Sequence, residues 1–148
     1  MTPELTGAER YLASRMNNRD CRAATMTRPL VYVAGPITGD PWGCVRKALS
    51  VETYLNEHGF DCYLPQLSVL AEIVRRRPYD HYLRVNMNIL ERCDGLYRIK
   101  GKSTGADEEF ERAKVLGLPV HSETNMHTST ISQWINAVHV QALYRSES

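Results

Sequence analysis

The sequence predicts an α/β fold in which helices cover both faces of a parallel sheet. Short apolar runs alternate with longer segments whose apolar residues recur every three or four positions, the pattern of strands alternating with helices. Glycine or proline closes most of these segments. Because parallel neighbours must be joined by crossover connections of about helix length, this alternation favours a parallel sheet.

The strands and helices follow from this pattern in chain order. The run from Pro29 to Ala34 is apolar and ends at Gly35-Pro36, as expected of a strand buried on both faces. Apolar residues then recur at helical spacing from Val45 until Gly59. The predicted strands are 29–34, 60–64, 95–99 and 118–121, and the predicted helices are 45–59, 67–74, 80–93, 104–117 and 128–144.

Polar residues predict where two of these helices begin. Asp80 stands at the start of segment 80–93, where its carboxylate is placed to accept a backbone N–H as an N-cap. Thr104 and Asp107 have the spacing of a capping box at the start of the next helix. Gly117 is a typical C-terminal stop for that helix.

The chain is predicted to form one domain with an N-terminal extension. Its 148 residues lie within the range of roughly 100–200 residues that is usual for one domain. Residues 1–28 carry a short helical pattern that gives way to a polar stretch. We therefore expect a partly helical extension over 1–28 and the α/β domain over 29–148.

Composition argues against nucleic-acid, membrane and metal partners. The formal net charge is +1 and charges of both signs alternate, so no basic stripe suits a phosphate backbone, and the run Arg75 to Arg77 is interpreted as a solvated helix end. We find no leader pattern and no apolar stretch near the ~18 residues of a membrane span. The cysteines lack zinc-ligand spacing: Cys21, Cys44, Cys62 and Cys93. We expect a soluble cytoplasmic protein with reduced thiols, no metal and no cofactor.

Two loops are expected to form a ligand site. In open parallel sheets ligands bind beyond the carboxyl ends of the strands, where residues 35–40 follow the first strand and residues 100–105 follow the third. The second loop, Lys-Gly-Lys-Ser-Thr-Gly, precedes a helix N-terminus, which suits a phosphate. An ordinary helix cap is the commoner alternative, and the residue order is not that of a P-loop.

Glu109 is the leading candidate for chemistry. It shares a helical face with Ala106, Phe110 and Ala113, so a carboxylate interrupts an apolar stripe whose alanines leave room for it. The helix N-terminus favours its ionised form, whereas partial burial raises its pKa. Two interpretations are open from helix geometry: an inward-facing nucleophile, or a surface carboxylate that pairs with Arg112.

Two more polar residues interrupt apolar surroundings. Asn86 lies on the apolar face of helix 80–93, either as a hydrogen-bonded core amide or as an amide that reaches into the cleft. Asp94, at the junction into the third strand, is interpreted as a local hydrogen-bonding residue rather than an acid catalyst. The five histidines follow no pattern of a metal site or a catalytic pair.

Taken together, these segments resemble the nucleoside 2-deoxyribosyltransferase-like family, which includes nucleoside 5′-monophosphate N-glycosidases. The resemblance covers residues 30 to about 120. Its carriers are Val31-Tyr-Val-Ala-Gly-Pro-Ile-Thr-Gly39, Cys93-Asp94 before a strand, and Ser103-Thr-Gly-Ala-Asp-Glu-Glu109 followed by Ala113. It implies a flavodoxin-like or Rossmann-like three-layer sandwich with a parallel sheet of four to five strands.

The resemblance also implies roles for single residues. Glu109, four residues after Gly105, falls on the position of the family's glutamate nucleophile. Asn86 is the second catalytic position, where the family usually has an aspartate that contacts the base and helps to protonate it; an amide cannot donate a proton in that way. The implied substrate contacts are Tyr32, Gly35, Pro36, Ile37, Thr38, Gly39, Asp94, Ser103 and Gly105.

Ser103 decides which activity the resemblance favours. At this position the transferases acting on free nucleosides tend to have an aspartate for the sugar 5′-hydroxyl, whereas the monophosphate N-glycosidases have a serine for the 5′-phosphate. A hydroxyl at a helix N-terminus attracts a phosphate that an aspartate would repel. We expect hydrolysis of a nucleoside 5′-monophosphate, with a base-exchanging deoxyribosyltransferase or a catalytically weak nucleotide-binding protein as alternatives. The family also implies a homo-oligomer, a dimer or larger.

Overall fold

The structure, a computed structural model, describes residue 6, residues 28–124 and residues 129–146. Within these ranges four strands alternate with five α-helices. The strands are β1 (Leu30–Ala34), β2 (Asp61–Tyr63), β3 (Gly95–Arg98) and β4 (Val120–Ser122). The helices are α1 (Pro41–Glu57), α2 (Ser68–Val74), α3 (Tyr79–Leu90), α4 (Thr104–Val115) and α5 (Ile131–Ser146), and a 3-10 turn at Pro65–Leu67 precedes α2.

The four strands form a parallel sheet in the order β2, β1, β3, β4. In this register Val31 of β1 lies between Cys62 of β2 and Gly95 of β3. The chain moves from β1 to β2 on one side and then crosses to β3 on the other, so the strand order reverses at β1. The predicted α/β fold is confirmed, and the crevice typical of such a reversal lies beyond the carboxyl ends of β1 and β3.

Side chains of β1 alternate between two apolar cores, one on each face of the sheet. Val31 and Val33 pack into the core that includes Trp134 of α5. Tyr32 and Ala34 pack into the opposite core, against α3 and α4. The side chains of these four residues are completely buried, and each valine contributes about 1.5–3 kcal/mol by leaving water. Burial on both faces of one strand explains the three-layer arrangement.

Asp80 does not cap α3, contrary to the prediction. The helix begins at Tyr79, and its N-cap residue is Pro78, which is extended at φ −65° and ψ 152° and offers no side-chain cap. Because the proline ring already fixes the approach to the helix, Asp80 falls inside the first turn. Its negative charge there is still favourable to the helix dipole.

The N-cap of α4 is Ser103 rather than the predicted box of Thr104 and Asp107. The Ser103 Oγ accepts the Ala106 N–H at 3.2 Å, and Thr104 is the first helical residue. With the cap one residue earlier, Asp107 turns instead toward Arg98, whose guanidinium lies 2.9 Å from its carboxylate.

Some predictions concern residues outside the described ranges. The partly helical pattern of residues 1–28 and Cys21 fall there, apart from positions 6 and 28. Cys44, Cys62 and Cys93 are free thiols. Among the helices of residues 28–124 and 129–146, none is long and apolar enough to cross a bilayer.

Asp94 fastens the amino ends of the two central strands. Its carboxylate is 1% exposed and accepts the Leu30 N–H at 2.8 Å, while its own N–H donates to the Leu30 carbonyl oxygen at 2.7 Å. Arg145 of α5 lies 3.0 Å from the same carboxylate. Asp94 thus lies at the end of the sheet opposite the crevice. This placement corrects the prediction that Asp94 contacts substrate and agrees with its interpretation as a local hydrogen-bonding residue.

Asp94→Ala is expected to destabilise the fold by about 1–3 kcal/mol, because it leaves the partly buried Leu30 N–H without its acceptor. Urea unfolding followed by circular dichroism measures the loss. Glu91→Ala is the matched control, since Glu91 belongs to an exposed ion pair with Arg112 and should cost less than about 1 kcal/mol. Equal losses in the two variants would contradict the fastening role.

Candidate active site

A cavity of about 610 Å³ opens beyond the carboxyl ends of β1 and β3. Its walls are the loop that follows β1, the amino end of α4, and the facing sides of α2 and α3. Volumes of this order are typical of small-molecule sites. The two loops predicted to hold a ligand therefore meet at one cavity, as the strand order requires.

Glu109 is a buried carboxylate in the wall of this cavity. It is 7% exposed and shares the inner face of α4 with Ala106 and Ala113, whose small side chains leave it room. Arg112 pairs with Glu91 on the surface at 3.2 Å. The interpretation of Glu109 as a surface partner of Arg112 is therefore wrong.

Burial raises the pKa of Glu109 to about 7. Loss of water disfavours its charged form, and the neighbouring Glu108 carboxylate adds a smaller effect in the same direction. Tyr32 and Arg98 oppose both by favouring the ionised form. At neutral pH the side chain is consequently divided between a protonated acid and a carboxylate able to act as a base or nucleophile.

Two tyrosines lie between Glu109 and Asn86 inside the protein. The Tyr32 hydroxyl is completely buried. It is close enough to the Glu109 carboxylate to interact with it, although the two groups do not have the geometry of an ordinary hydrogen bond. The hydroxyl has no other partner in the described part of the chain. Burial first, and this carboxylate second, raise the pKa of Tyr32. The Tyr32 and Tyr63 rings lie 5.4 Å apart, and the Tyr63 hydroxyl donates to Asn86 Oδ1 at 2.9 Å. Asn86 is thus both hydrogen-bonded and part of the cavity wall.

Arg98 organises the loop after β3, and the predictions missed it. It is 6% exposed at the end of β3 and donates to the carbonyl oxygens of Ile99 and Gly101 and to Asp107 of α4. The guanidinium therefore holds the loop against the first turn of α4, close enough to Glu109 to favour its ionised form. A single arginine inside the otherwise uncharged run 95–99 is the signal that sequence reasoning had available.

Close backbone approaches shape the two loops. A side chain at Gly35 would meet Ile99 Cβ at 3.0 Å, so the loop after β1 needs glycine there to pass the end of β3. Gly101 has φ +127°, a conformation that other residues rarely adopt. The loops are therefore fitted to one another, and they leave the start of α4 open to the cavity.

The structure brings most of the predicted site residues together. The cavity wall contains Gly35, Ile37, Thr38, Asn86, Ser103, Gly105 and Glu109. Tyr32 lies behind Glu109, and Pro36 lines a smaller neighbouring hollow of about 230 Å³. Gly39 belongs to the same loop without lining the cavity, and Asp94 is at the other end of the sheet. The Ser103 hydroxyl serves as the helix cap and also faces the cavity, so the two interpretations of its loop are compatible.

A family model described as a domain of unknown function, DUF4406, matches residues 29–122. That range is well over half of the chain. The chain belongs to the DUF4406 family. No curated protein matches the sequence at a significant level.

This DUF4406 chain shares its fold with a solved 2-deoxyribosyltransferase from the psychrotolerant bacterium Bacillus psychrosaccharolyticus. The two structures align with a TM-score of 0.50 and 17% sequence identity, over 63% of this chain and 70% of that chain. The fold implied by the sequence resemblance is therefore confirmed for the DUF4406 domain.

Glu109→Gln is expected to weaken the dependence of stability on pH. Because the folded-state pKa of about 7 exceeds the ordinary 4.5, the folded DUF4406 domain keeps a proton that the unfolded chain releases between these values. The stability due to the neutral carboxyl is complete below about pH 4.5 and is lost as pH rises through 7, by about 3 kcal/mol. Glutamine does not titrate, so the variant should exceed wild type in stability at about pH 8 but not at about pH 4.

Urea unfolding across this pH range measures the effect. Glu111→Gln, on the exposed side of α4, is the control and should follow the wild-type profile. Parallel profiles for wild type and Glu109→Gln would show that the pKa of Glu109 is not raised.

Proposed function

We propose that this protein cleaves the N-glycosidic bond of a nucleoside 5′-monophosphate, with Glu109 as the nucleophile. The observation that carries the proposal is the Glu109 carboxylate itself, buried in a cavity wall with its pKa raised to about 7. Within residues 28–124 and 129–146 no ion pair explains this burial, because Arg112 pairs with Glu91 and Arg98 pairs with Asp107. The fold shared with a 2-deoxyribosyltransferase is compatible with glycosyl chemistry.

In the proposed reaction a Glu109 carboxylate oxygen attacks the anomeric carbon of the sugar. The bond to the base breaks as the new ester bond forms, and the bonding electrons leave with the base. Water then attacks the anomeric carbon of the glycosyl ester, releases the sugar phosphate and returns the carboxylate. Tyr32 and Arg98 favour the charged form of Glu109 and so act as positioning residues for its reactive state.

The amino end of α4 is the proposed phosphate site. The N–H groups of Thr104 and Gly105 precede the first intrahelical hydrogen bond, which Asp107 makes to Ser103, so they are available to an anion. The Ser103 hydroxyl lies beside them in the cavity wall. The helix dipole adds a partial positive charge at the same place.

Two alternatives keep the same site. Base exchange by a deoxyribosyltransferase differs only in that a second base replaces water, and the activity of the structural neighbour favours it. Nucleotide binding with little turnover is favoured by Asn86, whose amide cannot protonate a departing base. In the hydrolase the base leaves as an anion or takes its proton from solvent.

Purified protein is expected to release free base from one or more deoxyribonucleoside or ribonucleoside 5′-monophosphates, detected by chromatography. Glu109→Ala should lower the rate by at least about 1000-fold, because it removes the nucleophile. Glu111→Ala, on the exposed face of the same helix, is the control and should retain activity.

Addition of a free acceptor base separates the two reactions, since only a transferase then forms a new nucleotide. If wild type and Glu109→Ala release base at the same rate from every substrate, catalysis at this site is rejected. Tight binding of a monophosphate without base release would instead identify a nucleotide-binding protein.

Ser103→Asp is expected to shift preference from monophosphates to free nucleosides. Aspartate is as good an N-cap as serine, so α4 should persist, but its charge repels the phosphate. The ratio of kcat/KM for a monophosphate to that for its nucleoside should fall by about 100-fold. Ser103→Thr keeps the hydroxyl and serves as the control. An unchanged ratio would place the phosphate elsewhere.

A further inference from the structure

The part of the cavity wall formed by α2 and α3 contains polar groups that have no role in the proposed reaction. If the sugar lies at Glu109 and the phosphate at Ser103, the base extends toward Glu72 of α2 and Tyr82 and Asn86 of α3, which line the same cavity. This step rests on the proposed function, because that function fixes which end of the ligand points to this wall.

Glu72 contributes a carboxylate to the cavity wall. The Tyr82 hydroxyl donates to Glu72 Oε1 at 2.5 Å, and the Arg77 N–H approaches the same oxygen at 3.5 Å. Within residues 28–124 and 129–146, Oε2 accepts no hydrogen bond. The Tyr82 hydrogen bond holds the pKa of Glu72 below its usual range, so this side chain is an acceptor and not a donor.

Asn86 presents the complementary donor. Its Oδ1 accepts the Tyr63 hydroxyl at 2.9 Å, which leaves the two N–H bonds of Nδ2 available to a ligand, and Asn86 is part of the cavity wall. Tyr82 and Asn86 are four residues apart on α3, so their side chains lie next to each other. Since Tyr82 holds Glu72, the carboxylate acceptor and the amide donor are neighbours on one wall.

We infer that this wall selects guanine. Guanine carries two adjacent N–H donors, at N1 and at the 2-amino group, beside the O6 acceptor. A carboxylate accepts from such a pair in charge-assisted hydrogen bonds while the Asn86 amide donates to O6. Adenine and cytosine turn a ring-nitrogen lone pair toward the carboxylate, and uracil and thymine offer a single N–H flanked by two carbonyl groups. Guanine is the base whose edge offers two donors.

The wall is suited to substitution, because α2 has no buried residue. Glu72→Gln keeps the shape of the side chain and an oxygen that can accept from Tyr82, but it loses the negative charge and gains an N–H. Its effect should therefore fall on base preference and not on folding, which circular dichroism verifies.

The test compares base release from the monophosphates of guanine, hypoxanthine, adenine, cytosine and thymine. Wild type should act best on guanine and less well on hypoxanthine, which lacks the 2-amino group. Glu72→Gln should lower kcat/KM for guanine by about 10- to 100-fold and leave adenine and cytosine unchanged or improved. Glu111→Gln, away from the cavity, should leave the order of bases intact.

Failure of this inference differs from failure of the proposed function. Glu109-dependent release that favours another base, or that falls equally for all bases in Glu72→Gln, overturns guanine selection and leaves N-glycosidic cleavage standing. If no base is released, calorimetry with the same monophosphates decides. Tightest binding of the guanine nucleotide, lost in Glu72→Gln, supports selection, whereas equal or absent binding overturns it.

Discussion

The site depends on one constraint, the burial of the Glu109 carboxylate away from water. Glu109 lies in an otherwise apolar stripe of α4, and loss of solvation alone would keep it neutral at physiological pH. Arg98 and Tyr32 supply the opposing influence from β3 and β1. The two central strands of the sheet thus set the protonation of a residue on a helix. Tyr32 acts from the middle of β1, and Arg98, which its hydrogen bonds to Gly101 and Asp107 hold in place, acts from the end of β3.

Features governed by local periodicity could be predicted from the sequence. The apolar run at residues 29–34 identified β1 because a strand covered on both faces has no need of polar residues. The helical spacing of Glu109 to Ala106 and Ala113 placed it on their face, since positions three and four apart share a face, but only the structure shows that this face is buried. The meeting of the loops after β1 and β3 followed from the topology of parallel sheets.

Features governed by contacts between distant segments could not be predicted. The partners of Arg98 are set by the path of the loop that follows it, and the contact between Glu72 and Tyr82 depends on how α2 and α3 lie together. The α4 cap was misplaced by one residue because Ser103 and Thr104 both have capping side chains, and only the backbone distinguishes them. Asp94 was placed with the substrate by the family resemblance, although its position directly before β3 puts it at the amino end of that strand.

Asp94 stabilises the fold at one end of the sheet, and the residues proposed to select the ligand lie at the other end. The contacts of Asp94 with β1 and α5 lie at the amino ends of the strands, while the cavity-wall side chains of α2 and α3 lie beyond the carboxyl ends. Mutations on the cavity-facing sides of those two helices can therefore accumulate without disturbing the contacts of Asp94. The ligand can therefore change during evolution while the scaffold stays the same. Relatives with this fold should differ most at the α2 and α3 wall.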